Sequence, residues 1–136
     1  MNFDDIKTGA EIPPLHINVS IVQMIMYCAV TWDFARYHYD PEFVHKFGFS
    51  RPVVDPQMHG GLMARLLTDW ISESGRIRKL SLSYRAPCFL GDTLTYSGKV
   101  VNKYVKDGER YVDCALVVTN KNGKCPVEGA ASISFY

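Results

Sequence analysis

The sequence predicts a single α+β domain, residues 1–136, in which an antiparallel sheet wraps around one long central helix. One segment, beginning at Pro56, carries apolar residues at the helical period. From Ile77 to the end, apolar and polar residues alternate as they do in half-buried strands. Turn-forming residues separate the alternating segments. With 136 residues, the chain suits one core and leaves no room for separate cofactor and substrate domains.

The central helix is predicted from four apolar residues at intervals of four. These residues are Met58, Leu62, Leu66 and Trp70, and further apolar side chains lie beside them. So wide an apolar face is typical of a buried helix. We expect this helix to end at Gly75.

The first 50 residues predict an extended segment and two further helices. Residues 11–19 read as extended chain, and Ser20 can cap an apolar helix over 21–30. A short helix is expected after Asp40 and Pro41, a cap followed by a favoured first helical residue, and Gly48 would end it.

Four strands are expected after the central helix, and the simplest topology for them is an antiparallel meander. The turn signals between them are Pro87 with Gly91-Asp92, Asp107-Gly108 and Asn122-Gly123. One helix covers only part of such a sheet, so an apolar face or edge remains. A second copy is the simplest cover, and we therefore expect a dimer or a dimer of dimers.

Composition excludes several classes of partner. Lys and Arg number 15 against 14 for Asp and Glu, giving a net charge of +1 without any basic run. Nucleic acid and anionic membranes are therefore not expected as partners. The longest apolar stretch, residues 21–32, is interrupted by Gln23 and too short to span a bilayer, and the first residues lack the features of a signal peptide. We expect a cytoplasmic protein.

The four cysteines do not form a metal or disulfide pattern. They are Cys28, Cys88, Cys114 and Cys125, and the closest two are eleven positions apart. Because no zinc-type pair spacing occurs, we expect no bound metal and four free thiols in a reducing compartment.

Asp33 and His38 form the first candidate catalytic cluster. They lie five positions apart in a segment too irregular for a helix to separate them. A carboxylate and an imidazole that converge can hold a water between them, one taking its proton while the other protonates a neighbouring carbon. In the alternative interpretation, Asp33 caps a turn and His38 is a half-buried surface residue. The ten residues 32–41, taken alone, favour this alternative.

The second cluster surrounds two adjacent glycines near the start of the central helix. Gly60 and Gly61 each cost about 1 kcal/mol relative to Ala there, so something is expected to approach closely. A helix N-terminus offers unpaired N–H groups and partial positive charge, which would stabilise an enolate oxygen. Close packing of helix against sheet, without a ligand, explains the glycines equally well. His16 and His45 have no partner in sequence, and we interpret both as structural.

Three segments resemble the MaoC-like acyl dehydratases, the (R)-specific enoyl-CoA hydratase branch of the hot-dog superfamily. They are Asp33-x4-His38-x-Asp40-Pro41 followed by Gly48-Phe49-x-Arg51-Pro52, His59-Gly60 opening an apolar helix, and the tail from SLSYRAPCFLGDTL to GAASISFY. The similarity covers most of residues 20–136. It implies a hot-dog fold, an antiparallel sheet wrapped around one central helix.

The resemblance also assigns roles to residues of both clusters. It makes Asp33 and His38 the catalytic pair, without fixing which is the base, and the backbone N–H of Gly60, or else of Gly61, the donor to a thioester oxygen. It places Asp55, His59 and Gly61 in substrate binding. The implied reaction is hydration of a trans-2-enoyl-CoA to the (3R)-hydroxyacyl-CoA, or its reverse. This reaction needs a positioned water, a proton for the α-carbon and stabilisation of an enolate-like oxygen, and it needs no metal or redox cofactor. Coenzyme A is part of the substrate.

Two departures from the family pattern refine the expectation. The common motif has Asn-Pro where this chain has Ala35-Arg36, and extra residues separate Pro52 from His59-Gly60. The lack of Asn-Pro, together with Thr68-Asp69-Trp70 late in the helix, resembles the small subunits of heteromeric hydratases that act on steroid side-chain enoyl-CoA esters. That likeness implies a bulkier acyl group and a non-identical, paralogous partner chain.

Two alternative functions share the same fold. One is a non-catalytic or acyl-binding subunit of a heteromeric hydratase, which would have lost its acid–base pair, whereas this chain has both Asp33 and His38. The other is an acyl-CoA thioesterase, whose carboxylate typically lies on the central helix. This helix offers Asp69 only near its end. Hydration is therefore favoured.

Overall fold

The structure, a computed structural model, describes residues 1–124 and 126–136 and contains five strands and three α-helices. In chain order these are β1 (Glu11–Asn18), α1 (Ile21–Thr31), α2 (Pro41–His45), α3 (Pro56–Ile71), β2 (Gly75–Tyr84), β3 (Thr93–Lys106), β4 (Glu109–Asn120) and β5 (Val127–Phe135). The five strands form one antiparallel sheet, and α3 packs against it. The predicted fold class is confirmed.

The strand order, β1-β3-β4-β5-β2, corrects the expected meander. Strands β3, β4 and β5 follow one another as predicted, but β2 lies at the far edge, paired with β5 instead of β3. The link from β2 to β3 does not form a hairpin because it is bound elsewhere. Phe89 forms a β-bridge with Val53, and Cys88 accepts a hydrogen bond of 2.8 Å from the Val54 N–H. These contacts hold the link against the segment before α3.

Helix α3 begins where its sequence predicts. Asp55 caps it by accepting a 2.7 Å hydrogen bond from the Gln57 N–H, and its inner face is buried in the core. The α-helix ends at Ile71, because Ser72 has a φ of 50°, which α-helical backbone does not permit. A 3-10 turn over Ser72–Ser74 continues the helical segment up to Gly75, which confirms the expected end there. Gly75 is the first residue of β2, where a Cβ would collide with the Ser134 carbonyl oxygen.

Helix α1 is capped locally and buries little of its surface. Ser20 and Gln23 form a reciprocal capping box at its N-terminus. Only Met24 and Cys28 are buried, while the exposed apolar side chains of α1 and the residues after it are Ile21, Val22, Ile25, Met26, Val30, Trp32 and Phe34. With the open edges at β1 and β2, this face fits the expectation of a partner chain.

Three of the four cysteines lie in the described part of the chain. Cys28, Cys88 and Cys114 are buried and unpaired, as predicted. Burial raises the pKa of the Cys88 and Cys114 thiols to about 11. The expectation for Cys125 lies outside the described residues. In those same ranges, none of the helices has the length and hydropathy needed to cross a membrane.

The contacts of the glycines give a stability test. In Gly129→Ala the new Cβ would lie 2.6 Å from the Ser81 carbonyl oxygen, a backbone atom that cannot move aside. We expect the free energy of unfolding to fall by about 1–3 kcal/mol. The control is Gly61→Ala, where the Cβ meets no atom within 4 Å, and the helical propensity of Ala should raise stability by up to about 1 kcal/mol. Urea unfolding measures both; equal effects would contradict the packing described for β2 against β5.

Candidate active site

Three ionisable side chains converge in front of the N-terminus of α3. Trp32 takes a left-handed conformation with a φ of 61°, which ends α1 and turns the chain into the segment carrying Asp33 and His38. Asp55 caps α3 from the other side. One ligand atom from each of Asp33, His38 and Asp55 lies within 4.8 Å of the other two. The predicted Asp33–His38 convergence therefore exists, with a second carboxylate added to it.

Backbone hydrogen bonds orient all three side chains. The Ala35 N–H donates to Asp33 Oδ1 at 3.1 Å, and the Gln57 N–H donates to one oxygen of Asp55. His38 Nδ1 lies 2.9 Å from the Val53 carbonyl oxygen. Because a carbonyl only accepts, Nδ1 carries a hydrogen and Nε2 is the atom left for chemistry. His38 Nε2 lies 3.8 Å from Asp55 Oδ2.

Of the alternative interpretation, in which Asp33 caps a turn and His38 lies half-buried at the surface, the structure shows only the turn cap. Asp33 does cap a turn, through its hydrogen bond with Ala35, but one of its carboxylate oxygens remains available. His38 is buried, at 8% exposure, so it is not a half-exposed surface residue. Arg36, which replaces a residue of the family motif, pairs with Asp40 at 2.6 Å. Its charge is thereby neutralised.

The groups around this cluster are held in their neutral forms. Burial, with the negative charge of Asp55 as the second cause, raises the pKa of the Tyr27 and Tyr84 hydroxyls. Burial and the charges of Asp33 and Asp55 likewise raise the pKa of the Cys28 thiol. The carboxylates therefore face uncharged hydroxyl and thiol groups on α1 and β2.

His59 is buried on the inner face of α3 and has one polar partner. Only 2% of it is exposed, and its Nδ1 lies 2.7 Å from the Tyr96 hydroxyl. Burial lowers the pKa of His59 to about 4, although the negative charge of Asp55 opposes the shift, and burial raises the pKa of Tyr96. Both side chains are therefore neutral. The buried Tyr96 O–H is paired when it donates to Nδ1 of His59. In that tautomer the hydrogen of His59 is on Nε2, which is therefore an N–H donor.

His59 lines a cavity of about 300 Å³ beside the N-terminus of α3. Val53, Val54 and Pro56, the neighbours of Asp55 in sequence, form one side of this cavity, and Tyr84 lies on another. Within residues 1–124 and 126–136, His59 Nε2 has no hydrogen-bond partner. A neutral donor is thus placed where a ligand oxygen can reach it.

A larger cleft of about 560 Å³ adjoins this cavity. The two share Ala86 and Pro87 in the link between β2 and β3. The charged side chains that line the cleft are Arg51, Asp92, Lys121 and Lys124. Arg51 and Asp92 form an ion pair at 2.8 Å, so the two lysines leave the cleft positively charged.

The two glycines lie in the second turn of α3, because the helix begins at Pro56. In an α-helix the Gly60 N–H is directed to the Pro56 carbonyl. A Cβ on Gly60 would come no closer than 3.9 Å to Leu82, and one on Gly61 would meet no atom within 4 Å. Packing within this chain therefore does not require either glycine. Close packing of the helix against the chain's own sheet therefore does not explain the two glycines.

Asp33, His38 and Asp55 are also the residues that could enclose a metal ion. In the part of the chain that the structure describes, they form the one compact group of three such ligands. His16 and His45, interpreted as structural, lie outside it and hydrogen-bond to Thr95 and to the Ser50 carbonyl.

The sequence did not reveal the roles of Tyr27, Tyr84 and Tyr96. Tyr96 lies 37 positions from its partner His59, on a different element. Its alternation with Leu94 predicts burial, but periodicity contains no signal for the partner of a buried hydroxyl.

A family model described as "MaoC like domain" matches residues 7–122. Among curated proteins, the chain is 30% identical over 100 residues to the 3-oxo-4,17-pregnadiene-20-carboxyl-CoA hydratase beta subunit of Mycobacterium tuberculosis, covering 74% of this chain and 76% of that one. It is 32% identical over 74 residues to the (R)-specific enoyl-CoA hydratase of Aeromonas caviae, covering 54% and 55%.

Solved structures show the same fold over nearly the whole chain. The (R)-hydratase of A. caviae superposes with a TM-score of 0.88 at 22% identity, covering 97% of this chain and 98% of that one. A chain of the ChsH1–ChsH2 complex of M. tuberculosis gives a TM-score of 0.83 at 27% identity, covering 96% and 98%. The second of these similar structures is an assembly of two different chains.

The burial of His59 predicts a specific loss of stability in acid. Its pKa is about 4 in the folded protein and 6.5 when unperturbed, so the folded state binds fewer protons. Stability is therefore lost as pH falls below about 6.5, and the loss between pH 7 and pH 5 should be on the order of 2 kcal/mol.

Urea unfolding at pH 7 and pH 5 measures this contribution against His59→Gln. The glutamine amide oxygen can still accept from the Tyr96 hydroxyl but does not titrate. We expect the variant to lose less stability than the wild type between the two pH values. An equal loss in both proteins would show that His59 is not protonated on unfolding in this range.

Proposed function

Because the chain belongs to the MaoC-like family of hydratases and dehydratases, we propose that it adds water reversibly to trans-2-enoyl-CoA thioesters, giving (3R)-hydroxyacyl-CoA. The observation that carries this proposal is the convergence of the partly buried Asp33 and the buried His38 beside the N-terminus of α3. A positioned carboxylate and imidazole are the groups that hydration of a conjugated thioester requires.

The proposed step moves one water across one double bond. As the water oxygen bonds to C3, its proton passes to Asp33 or His38, and the C2–C3 π electrons move toward the thioester oxygen. A proton from the other group then reaches C2, and the carbonyl re-forms. His38 exchanges protons through Nε2, since Nδ1 is bonded to the Val53 carbonyl. The reverse sequence dehydrates the product.

The developing negative charge on the thioester oxygen needs hydrogen-bond donors. We place this oxygen at the first two turns of α3, where the helix dipole favours negative charge. The Gly60 N–H can serve there only through a three-centre bond shared with the Pro56 carbonyl. The His59 Nε2–H has no competing partner among the described residues, and His59 lines the cavity. The exposed Gly61 leaves the approach open.

The positively charged cleft supports a coenzyme A ester as substrate. It adjoins the cavity at His59, and its two lysines, Lys121 and Lys124, suit the phosphates of coenzyme A. Coenzyme A enters as part of the substrate, and the proposed reaction uses no redox cofactor or metal.

The proposals for the acyl group and for the partner chain rest on different observations. The relative from M. tuberculosis acts, by its name, on a steroid-derived CoA ester. The exposed apolar face of α1 and the open β2 edge are suited to a second chain of the same fold. We propose an oligomer in which that second chain, identical or paralogous, covers this surface.

Two competing functions are less well supported. A non-catalytic subunit does not require the oriented Asp33–His38 pair. A thioesterase of the type considered above would use a carboxylate on the central helix, but the Asp69 side chain is 65% exposed and is paired with Arg65. Hydration uses the groups that the structure brings together.

Paired substitutions test the proposed chemistry. Asp33→Asn and His38→Gln keep side-chain volume and remove proton transfer, and each should lower kcat for hydration at least about a hundredfold. The double variant should cost little more than either single one, because groups that act on one water are not additive. Loss of enoyl-thioester absorbance measures the rate. Asp69→Asn is the control, and we expect it to keep the wild-type rate.

Binding measurements separate catalysis from folding. A saturated acyl-CoA should still bind both single variants, since its contacts lie along the cavity and the start of α3. A wild-type rate in Asp33→Asn would contradict the proposal. Unfolding of Asp33→Asn would instead assign Asp33 to turn capping, and thioester cleavage that depends on Asp69 would favour the thioesterase.

A further inference from the structure

The ligand atoms of Asp33, His38 and Asp55 are close enough together for one water molecule to contact all three. Three atoms no more than 4.8 Å apart all lie within about 2.8 Å of a common centre. That distance is an ordinary hydrogen-bond length to oxygen. A water at this centre would therefore contact all three side chains, and not only the Asp33–His38 pair of the expected mechanism.

The hydrogen count of this group requires an additional proton. With Nδ1–H donating to the Val53 carbonyl, Nε2 of a neutral His38 is an acceptor. A carboxylate oxygen of Asp33 and Oδ2 of Asp55 are acceptors too, so three acceptors would face the two hydrogens of a water. Two carboxylates this close also repel each other when both are charged and His38 is neutral. One further proton shared among the three groups removes both mismatches.

We propose that Asp55 is a third catalytic residue, whose Oδ2 holds the reacting water together with Asp33 and His38. This role rests on the proposed hydratase function. The three groups hold one proton before the reaction. That proton is given to C2, the proton released by the attacking water replaces it, and the group returns to its starting state. One H₂O is added across C2–C3, and no other reactant is needed.

Asp55 is fixed in place for this role. One carboxylate oxygen accepts from the Gln57 N–H at 2.7 Å, which leaves Oδ2 facing His38 Nε2. Its side chain is only 4% exposed, and its position at the N-cap of α3 stabilises a negative charge in this buried place.

No other titratable group near Asp55 competes for the shared proton at neutral pH. The charge of Asp55 acts on four titratable groups, which are Tyr27 and Cys28 of α1, His59 of α3 and Tyr84 of β2. Burial keeps the tyrosines and the cysteine protonated and His59 unprotonated. Arg85, which lines the adjoining cavity, is paired with Glu128 at the surface.

Asp55→Asn tests this role, because asparagine is as good an N-cap as aspartate and keeps the start of α3. We expect kcat for enoyl-CoA hydration at pH 7 to fall at least about tenfold, with KM within about threefold of the wild type. We also expect the dependence of kcat/KM on pH to differ from that of the wild type, because one of the three groups around the water no longer exchanges protons. Asp55→Ser, which also caps, should show the same loss.

Asp40→Asn is the matched control. Asp40 caps α2 by accepting from the Phe43 N–H and lies outside the group of three, so this variant should keep the wild-type rate and pH profile. Thermal unfolding of all variants separates catalysis from capping. We expect Asp55→Asn to unfold within a few degrees of the wild type.

Several outcomes would overturn the assignment. A wild-type kcat and pH profile in Asp55→Asn, beside an inactive Asp33→Asn, would remove Asp55 while leaving the proposed function intact. A change in KM alone would make Asp55 a binding residue. Activity abolished by a chelator and restored by a divalent cation would show that the three groups hold an ion. A wild-type protein inactive on every enoyl-CoA would overturn the proposed function and this role together.

Discussion

The candidate site depends on the hydrogen bonds of one residue, Val53. Its carbonyl accepts from His38 Nδ1, and its N–H donates to the Tyr37 carbonyl at 2.9 Å. A β-bridge to Phe89 holds Val53 itself against the link between β2 and β3. The segment after α1 that carries Asp33 and His38 is thereby attached to the residues that lead into α3. Two positions further along, Asp55 caps that helix, so the same attachment sets the distance from His38 to Asp55.

This arrangement explains how so short a chain can present a buried polar group. His38 and Asp55 are buried and Asp33 is partly buried where the segment 33–38 meets the start of α3, and each side chain has a backbone hydrogen-bond partner. The surrounding tyrosines, thiol and His59 stay neutral, so the charge of the region is confined to the three groups. The cavity at His59 is lined by neighbours of Asp55 in sequence, and it adjoins the positive cleft.

Local signals predicted the elements well, whereas contacts between distant segments were not predictable. Ser20 with Gln23, and Asp40 with Pro41, act within one helical turn, so sequence alone locates these helix starts. The placement of β2 beside β5 depends on pairing across some fifty residues and on the bridge at Val53, neither of which has a periodic signature. Likewise, the Asp33–His38 pair was found from its spacing and its resemblance to the family. The contacts of Asp55 with His38 and of Tyr96 with His59 form between separate elements, so the spacing of these residues in the sequence does not predict them.

The central claim is that this chain adds water to conjugated CoA thioesters through the buried group at the start of α3. Its most direct test is to mix the purified wild-type protein with short, medium and steroid-type trans-2-enoyl-CoA esters, to follow the enoyl-thioester absorbance, and to determine the configuration of the product at C3. The account predicts loss of absorbance with at least one ester, no release of free thiol, and a product of the 3R configuration. Absorbance unchanged with all three esters, in the presence of any partner chain that copurifies, would contradict it.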